Sequence, residues 1–110
     1  MGKGSQVRIT PAFFFLLLTL VDGERHGYAM AKEVEERSEG SISLGPGSLY
    51  WSLSRLSETG LIEETRAPED SSRLGRRRYY RLSDKGRVVL EREAETLSRV
   101  LSFARDKHLV

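Results

Sequence analysis

Three consecutive arginines, Arg76-Arg77-Arg78, followed by Tyr79-Tyr80-Arg81, most directly imply a chemistry in this sequence. A planar guanidinium stays charged at physiological pH and donates two parallel hydrogen bonds to one phosphate. Seven basic residues and one acid lie between Arg73 and Arg87, whereas Glu33 to Glu39 holds four acids and one arginine. The net charge of the chain is only +2, so the positive charge is concentrated on one element. That is the footprint of phosphate binding. Edge strands also use charge to prevent unwanted pairing, but three adjacent arginines exceed that need.

A second group lies on the run Gly45 to Gly60. At 100° per residue Leu49, Leu53 and Leu56 form one apolar stripe. Trp51 and Ser54 point away from it, with Ser48, Ser52 and Arg55 on one flank and Tyr50 and Ser57 on the other. A merely solvated helix face normally shows Lys and Glu. Small serines let a helix approach base edges and can donate or accept there, and arginine can reach guanine or a phosphate. This face is therefore expected to contact duplex DNA, with Arg76, Arg77 and Arg78 on phosphates. The bland alternative is a structural helix with Trp51 packed under the neighbouring hairpin. His26, just before a helix start, could touch a phosphate or serve structurally.

Catalytic constellations are missing from the sequence. Ser41-Ile42-Ser43-Leu44-Gly45 lacks the first glycine of a nucleophile elbow. Gly2-Lys3-Gly4-Ser5 lacks the upstream glycine of a phosphate-binding loop. His26 and His108, without any cysteine, make no recognisable zinc site. No enzyme activity, cofactor or metal is expected. The absence of cysteine suits a reducing compartment, and a cytoplasmic location is expected.

The elements that must position these residues are legible. Thr10-Pro11 is a helix start, with Thr as N-cap and Pro at the first position. The apolar run Ala12 to Val21 behind Lys3 and Arg8 imitates a signal peptide. It is too short to span a membrane, and Val21-Asp22-Gly23-Glu24 offers no small-residue cleavage site. A buried helix is expected instead, ended by Asp22-Gly23. It is apolar all round, so part of its surface, including Phe14 and Leu17, is expected to meet another chain. A second helix from about His26 to Arg37 buries Gly27, Met30, Ala31 and Val34. Leu61 to Arg66 and Arg76 to Leu82 form an antiparallel hairpin around the loop Ala67 to Gly75. In its return strand Arg78, Tyr80 and Leu82 share one face and Arg77, Tyr79 and Arg81 the other. Ser83 caps a final helix in which Leu90, Ala94, Leu97, Leu101, Ala104 and His108 recur at spacings 4, 3, 4, 3, 4. Val100 and Phe103 widen this seam, which suits dimerisation.

The predicted fold is mainly α with a small β-hairpin: a winged helix-turn-helix plus a long C-terminal helix. Residues 1–9 are expected to be a flexible tail, 10–82 the DNA-binding domain and 83–110 the dimerisation helix. The rival reading is a winged-helix module for protein partners, anchored by the wing, Trp51 and Tyr79.

The runs His26-Gly27-Tyr28-Ala29-Met30, Leu44-Gly45-Pro46-Gly47-Ser48-Leu49-Tyr50, Leu53, Arg55-Leu56, Gly60-Leu61-Ile62, Arg78-Tyr79-Tyr80 and Leu82-Ser83-Asp84-Lys85-Gly86 occur in this order. Together they resemble the PadR-like transcriptional regulators over residues 12–90, in the short form with a single terminal helix. The resemblance implies a homodimeric repressor binding an inverted-repeat operator. It also implies that Tyr28 and Tyr50 lie near phosphates and that Ser48 to Arg55 lie on the recognition helix. Some short members bind flat aromatic compounds between their terminal helices, around a tryptophan. This chain has no tryptophan there, its only one being Trp51. Phe103, with Val100 and Ala104, would line such a pocket.

Overall fold

The computed structural model describes residues 8–65 and 78–110. Its elements run α1 (Pro11–Leu18), β1 (Arg25–His26), α2 (Gly27–Arg37), α3 (Pro46–Glu58), β2 (Ile62–Thr65), β3 (Tyr79–Leu82) and α4 (Asp84–Asp106). The chain is mainly helical, with one antiparallel sheet in the order β1-β3-β2. The N-terminal tail up to residue 7, the wing loop Ala67 to Gly75, Arg76 and Arg77 lie outside the described residues. No helix of the described residues is long and apolar enough to cross a membrane.

The Thr10 hydroxyl accepts from the Phe13 N–H at 3.1 Å and opens α1. The helix stops at Leu18, three residues short of Val21, because the chain tightens into i→i−3 bonds at Leu20 and Val21. Phe13, Leu16, Leu17 and Leu20 are buried within the chain's own core, together with Met30, Val34, Leu49, Leu53 and Leu56. Leu17 is fully buried, so it has no surface left for a second chain. The apolar positions of α1 that keep surface are Phe14, Phe15 and Leu18. The closing of α2 onto α3 depends on Gly27, where a β-carbon would sit 3.1 Å from Leu53 Cδ1.

α3 begins at Pro46 and ends through Gly60, whose φ of +82° a side chain would resist. There the Leu61 N–H donates to the Leu56 carbonyl at 3.0 Å. Ile62 pairs with Leu82, Glu63 with Arg81, Glu64 with Tyr80 and Thr65 with Tyr79. This register turns Ile62, Tyr80 and Leu82 inward, as the alternation in the sequence implies. The two-residue β1 was not expected. It pairs Arg25 with Tyr80 and His26 with Tyr79, covering the other edge of β3.

Ser83 ties the wing to the last helix. Its N–H donates to the Leu61 carbonyl at 3.1 Å, and its hydroxyl donates to the Gly60 carbonyl at 2.6 Å and accepts from the Gly86 N–H at 2.9 Å. From this anchor α4 runs for 23 residues, about 35 Å at the usual rise. Only its first two turns pack on the domain, through Gly86, Val89 and Leu90. Leu90 is thus a core residue, 5% exposed, rather than the first member of a dimer seam. A heptad spacing cannot say which neighbour each position meets. Beyond it Ala94, Leu97, Val100, Leu101 and Phe103 are exposed and Ala104 is half-buried.

Candidate nucleic-acid interface

α3 separates into the two faces its spacing implies. Leu49, Leu53 and Leu56 are buried, while Ser48, Tyr50, Trp51 and Ser54 are exposed and Arg55 is half-buried. Trp51 stacks one side on Phe13 of α1, with ring centroids 6.2 Å apart and planes at 25°. It nevertheless remains 65% exposed, so it is held in place without being packed away. Ser52 departs from expectation, being only 5% exposed. It lines a concavity between α1 and α3 together with Arg8, Phe13, Ser48, Trp51 and Arg55. Ser52 therefore offers little surface of its own to DNA. Arg8 shares that concavity with Ser48 and Arg55, and the sequence reading gave it no role. Its only signal there is a basic residue two positions before a helix cap.

On the other flank of α3, Tyr28 and Tyr50 line one groove with Lys32, Leu44 and Pro46. The fold thus brings together two tyrosines that lie 22 positions apart in the sequence. Tyr28 stands on the first turn of α2, which His26 caps. His26 Nδ1 accepts from the Ala29 N–H at 3.1 Å, which requires that nitrogen to be unprotonated. Its ring lies parallel to Tyr28 at 6.5 Å and edge-on to Tyr79 at 5.5 Å. His26 therefore fixes the α2 start against β3, the structural one of its two expected roles.

Of the arginine triplet, Arg78 is described. It sits just before β3 on the inward-facing side with Tyr80, and its carbonyl accepts from the Gly27 N–H at 3.4 Å. Its guanidinium lies 3.5 Å from the Glu64 carboxylate. Burial, then the Glu64 carboxylate, raises the Tyr80 phenol above its ordinary value, while Arg78 acts the other way. Tyr50 is near enough to Tyr80 to act on it electrostatically. On the opposite strand face Arg81 pairs with Glu63 at 2.8 Å, and on α3 Arg55 pairs with Glu58 at 3.8 Å. These pairs are half-exposed or more, so each adds little to stability.

Geometrically, this is an outward helix face carrying hydroxyls, aromatic rings and an arginine, with further cationic groups on both sides. Such a surface can meet a polyanion that also presents hydrogen-bonding edges.

The sequence matches the model of the "Transcriptional regulator PadR-like family" over residues 16–92. A crystal structure of a PadR family transcription regulator from Clostridium difficile R20291 is 28% identical, with a TM-score of 0.70. The match covers 86% of this chain and 96% of that one. Bacillus subtilis PadR in complex with operator DNA is similar in fold, at 23% identity and a TM-score of 0.64, over 79% of this chain and 47% of that one. An uncharacterized 37.1 kDa protein in transposon TN4556 of Streptomyces fradiae is 39% identical over 94 residues. These are 86% of this chain but 25% of that protein, so the chain spans a quarter of that relative's length.

Proposed function

The chain belongs to the PadR-like family of transcriptional regulators, and on that premise we propose that it is a sequence-specific duplex-DNA-binding repressor acting as a homodimer on an inverted-repeat operator. The observation that carries the reading is the division of α3. Its leucines are locked into the core while Ser48, Tyr50, Trp51 and Ser54 are exposed and Arg55 is half-buried. In this reading α3 enters the major groove, and Ser48 and Arg55 meet base edges. Arg76, Arg77 and Arg78 hold phosphates, with Tyr28 and Tyr50 toward the backbone at the α2–α3 groove. The complex of Bacillus subtilis PadR with operator DNA supports the same use of the fold.

Dimerisation rests on the outer part of α4. Leu97, Val100, Leu101 and Phe103 are 40–62% exposed on one helix. A contiguous apolar surface of this kind marks an association site. Ala94 and Ala104 allow close approach, and Phe14 and Leu18 of α1 keep apolar surface of their own. Two-fold pairing of two reading heads imposes a two-fold site on the DNA. Val100, Phe103 and Ala104 are the surface that a planar aromatic effector would meet between protomers. A dimer on a promoter excludes other proteins from the same groove, which is the simplest route to repression.

Selection of bound sequences from random duplex DNA tests the proposal. The expected product is a palindromic consensus bound by two protomers. No enriched sequence, or a single half-site bound by one protomer, would overturn it.

A further inference from the structure

We infer that Glu64 is a built-in phosphate mimic: it occupies the Arg78 guanidinium and withholds it from a DNA phosphate. It thereby sets how weakly the wing grips DNA of any sequence. The inference rests on the reading that duplex DNA is the partner.

The strand register makes the pairing a property of the fold. Glu64 stands opposite Tyr80, and Arg78 is two residues before Tyr80, so both reach the same face of the β2–β3 pair. Their charged atoms lie 3.5 Å apart. Stability does not explain the glutamate, because both side chains are more than half exposed and such pairs contribute little. Positioning does not require it either. The Arg78 carbonyl accepts from the Gly27 N–H at 3.4 Å, and its strand neighbour Tyr80 is buried in the core. Arg78 therefore keeps its place at the start of β3 if Glu64 is neutralised. A carboxylate and a phosphate compete for the same donors of a guanidinium, so a wing in which Glu64 holds Arg78 makes one phosphate contact fewer.

Glu63 provides an internal control. It is adjacent in sequence, carries the same charge, and pairs with Arg81 at 2.8 Å on the opposite strand face, away from α3. A long-range charge effect would treat Glu63 and Glu64 alike, whereas competition for Arg78 would not.

The test is binding of a random-sequence duplex, followed by fluorescence anisotropy across a salt series, for the wild-type chain, Glu64→Gln and Glu63→Gln. One freed phosphate contact steepens the log–log salt slope by about 0.9 per protomer and tightens binding about eightfold near 0.1 M salt. Glu64→Gln is expected to show that change and Glu63→Gln less than about a quarter of it. In an Arg78→Ala background the effect of Glu64→Gln is expected to vanish, as a double-mutant cycle would register. Weaker binding by Glu64→Gln would make the glutamate an aid to Arg78 and overturn the inference. Equal effects of the two substitutions would reduce it to net charge. A wild-type chain that binds no duplex at low salt would remove the premise instead, a result distinct from either.

Discussion

Substituting Gly86 by alanine should destabilise the protein even though alanine is the better helix former. Gly86 lies in the first turn of α4, against the start of β2. A β-carbon there would overlap the Leu61 carbonyl oxygen and come within 2.9 Å of the Leu61 carbonyl carbon and 3.0 Å of Leu82 Cδ1. Carbon atoms settle at about 3.5–4.0 Å, so α4 must retreat by roughly 0.6 Å or more. The retreat pulls on three bonds: Ser83 N–H to Leu61 O at 3.1 Å, Ser83 Oγ to Gly60 O at 2.6 Å and Lys85 Nζ to Thr59 O at 2.9 Å. Each such bond is worth about 1 kcal/mol, and overpacking strain runs to about 1–3 kcal/mol. The two describe overlapping strain, and helix propensity returns about 1 kcal/mol. The expected net loss is about 2–3 kcal/mol. Urea denaturation followed by far-ultraviolet circular dichroism at fixed protomer concentration would measure it. Gly47→Ala is the control, since a β-carbon there meets nothing within 4 Å and should be neutral or stabilising. A Gly86→Ala protein as stable as wild type would refute the packing argument, and its sign alone separates contact from propensity.

Other substitutions follow from the same packing. Replacing Leu97 and Leu101 together by Glu should yield a folded monomer in sedimentation velocity, because each unpaired ion forced into the interface costs several kcal/mol; an unchanged dimer mass would argue for another interface. Leu90→Ala should cost about 2–5 kcal/mol of unfolding free energy, as a core truncation does, whereas Val100→Ala in the monomeric background should cost well under half of that. The Tyr80 phenol is raised in the folded state by burial and by Glu64, so the folded chain keeps that proton longer than the unfolded one. Its share of stability is therefore intact below pH 10, the ordinary value, and is lost as pH rises through the folded value. Tyr80→Phe should blunt that alkaline loss; an identical alkaline midpoint for both proteins would contradict it.

Much of this architecture is legible because local chemistry decides it. Thr10-Pro11, Gly45-Pro46 and Ser83 each start a helix in the structure, as their capping chemistry requires. The alternation in Tyr79-Tyr80-Arg81-Leu82 fixes which side of the strand is buried. What the sequence conceals are decisions made by distant partners. β1 is two residues long, too short to carry a period, and exists because β3 offers it an unpaired edge. Leu17 and Leu90 belong to the chain's own core because α1 is apolar all round and the heptad spacing does not name a partner. Ser52 is buried where α3 meets α1, a junction that the stacking of Phe13 on Trp51 marks, between residues 38 positions apart. The pairing of Arg78 with Glu64 follows from strand register, which is readable only once the hairpin is built.

The salt dependence of operator binding tests the central claim most directly. If Arg76, Arg77 and Arg78 each neutralise a phosphate, a dimer makes about six contacts, less the share that Glu64 withholds. The log–log slope should then lie between about −4 and −5, so raising salt from about 50 to about 200 mM weakens binding by roughly two to three orders of magnitude. Joint replacement of Arg77 and Arg78 by Ala should flatten the slope by about 2–4 units and weaken operator and random duplex alike, since phosphates carry no sequence information. Ser48→Ala or Arg55→Ala should instead narrow the gap between operator and random duplex with little change in slope. Binding that is insensitive to salt and to all of these substitutions would contradict the assignment of α3 and the wing to DNA, and would favour an aromatic-anchored protein partner at Trp51 instead.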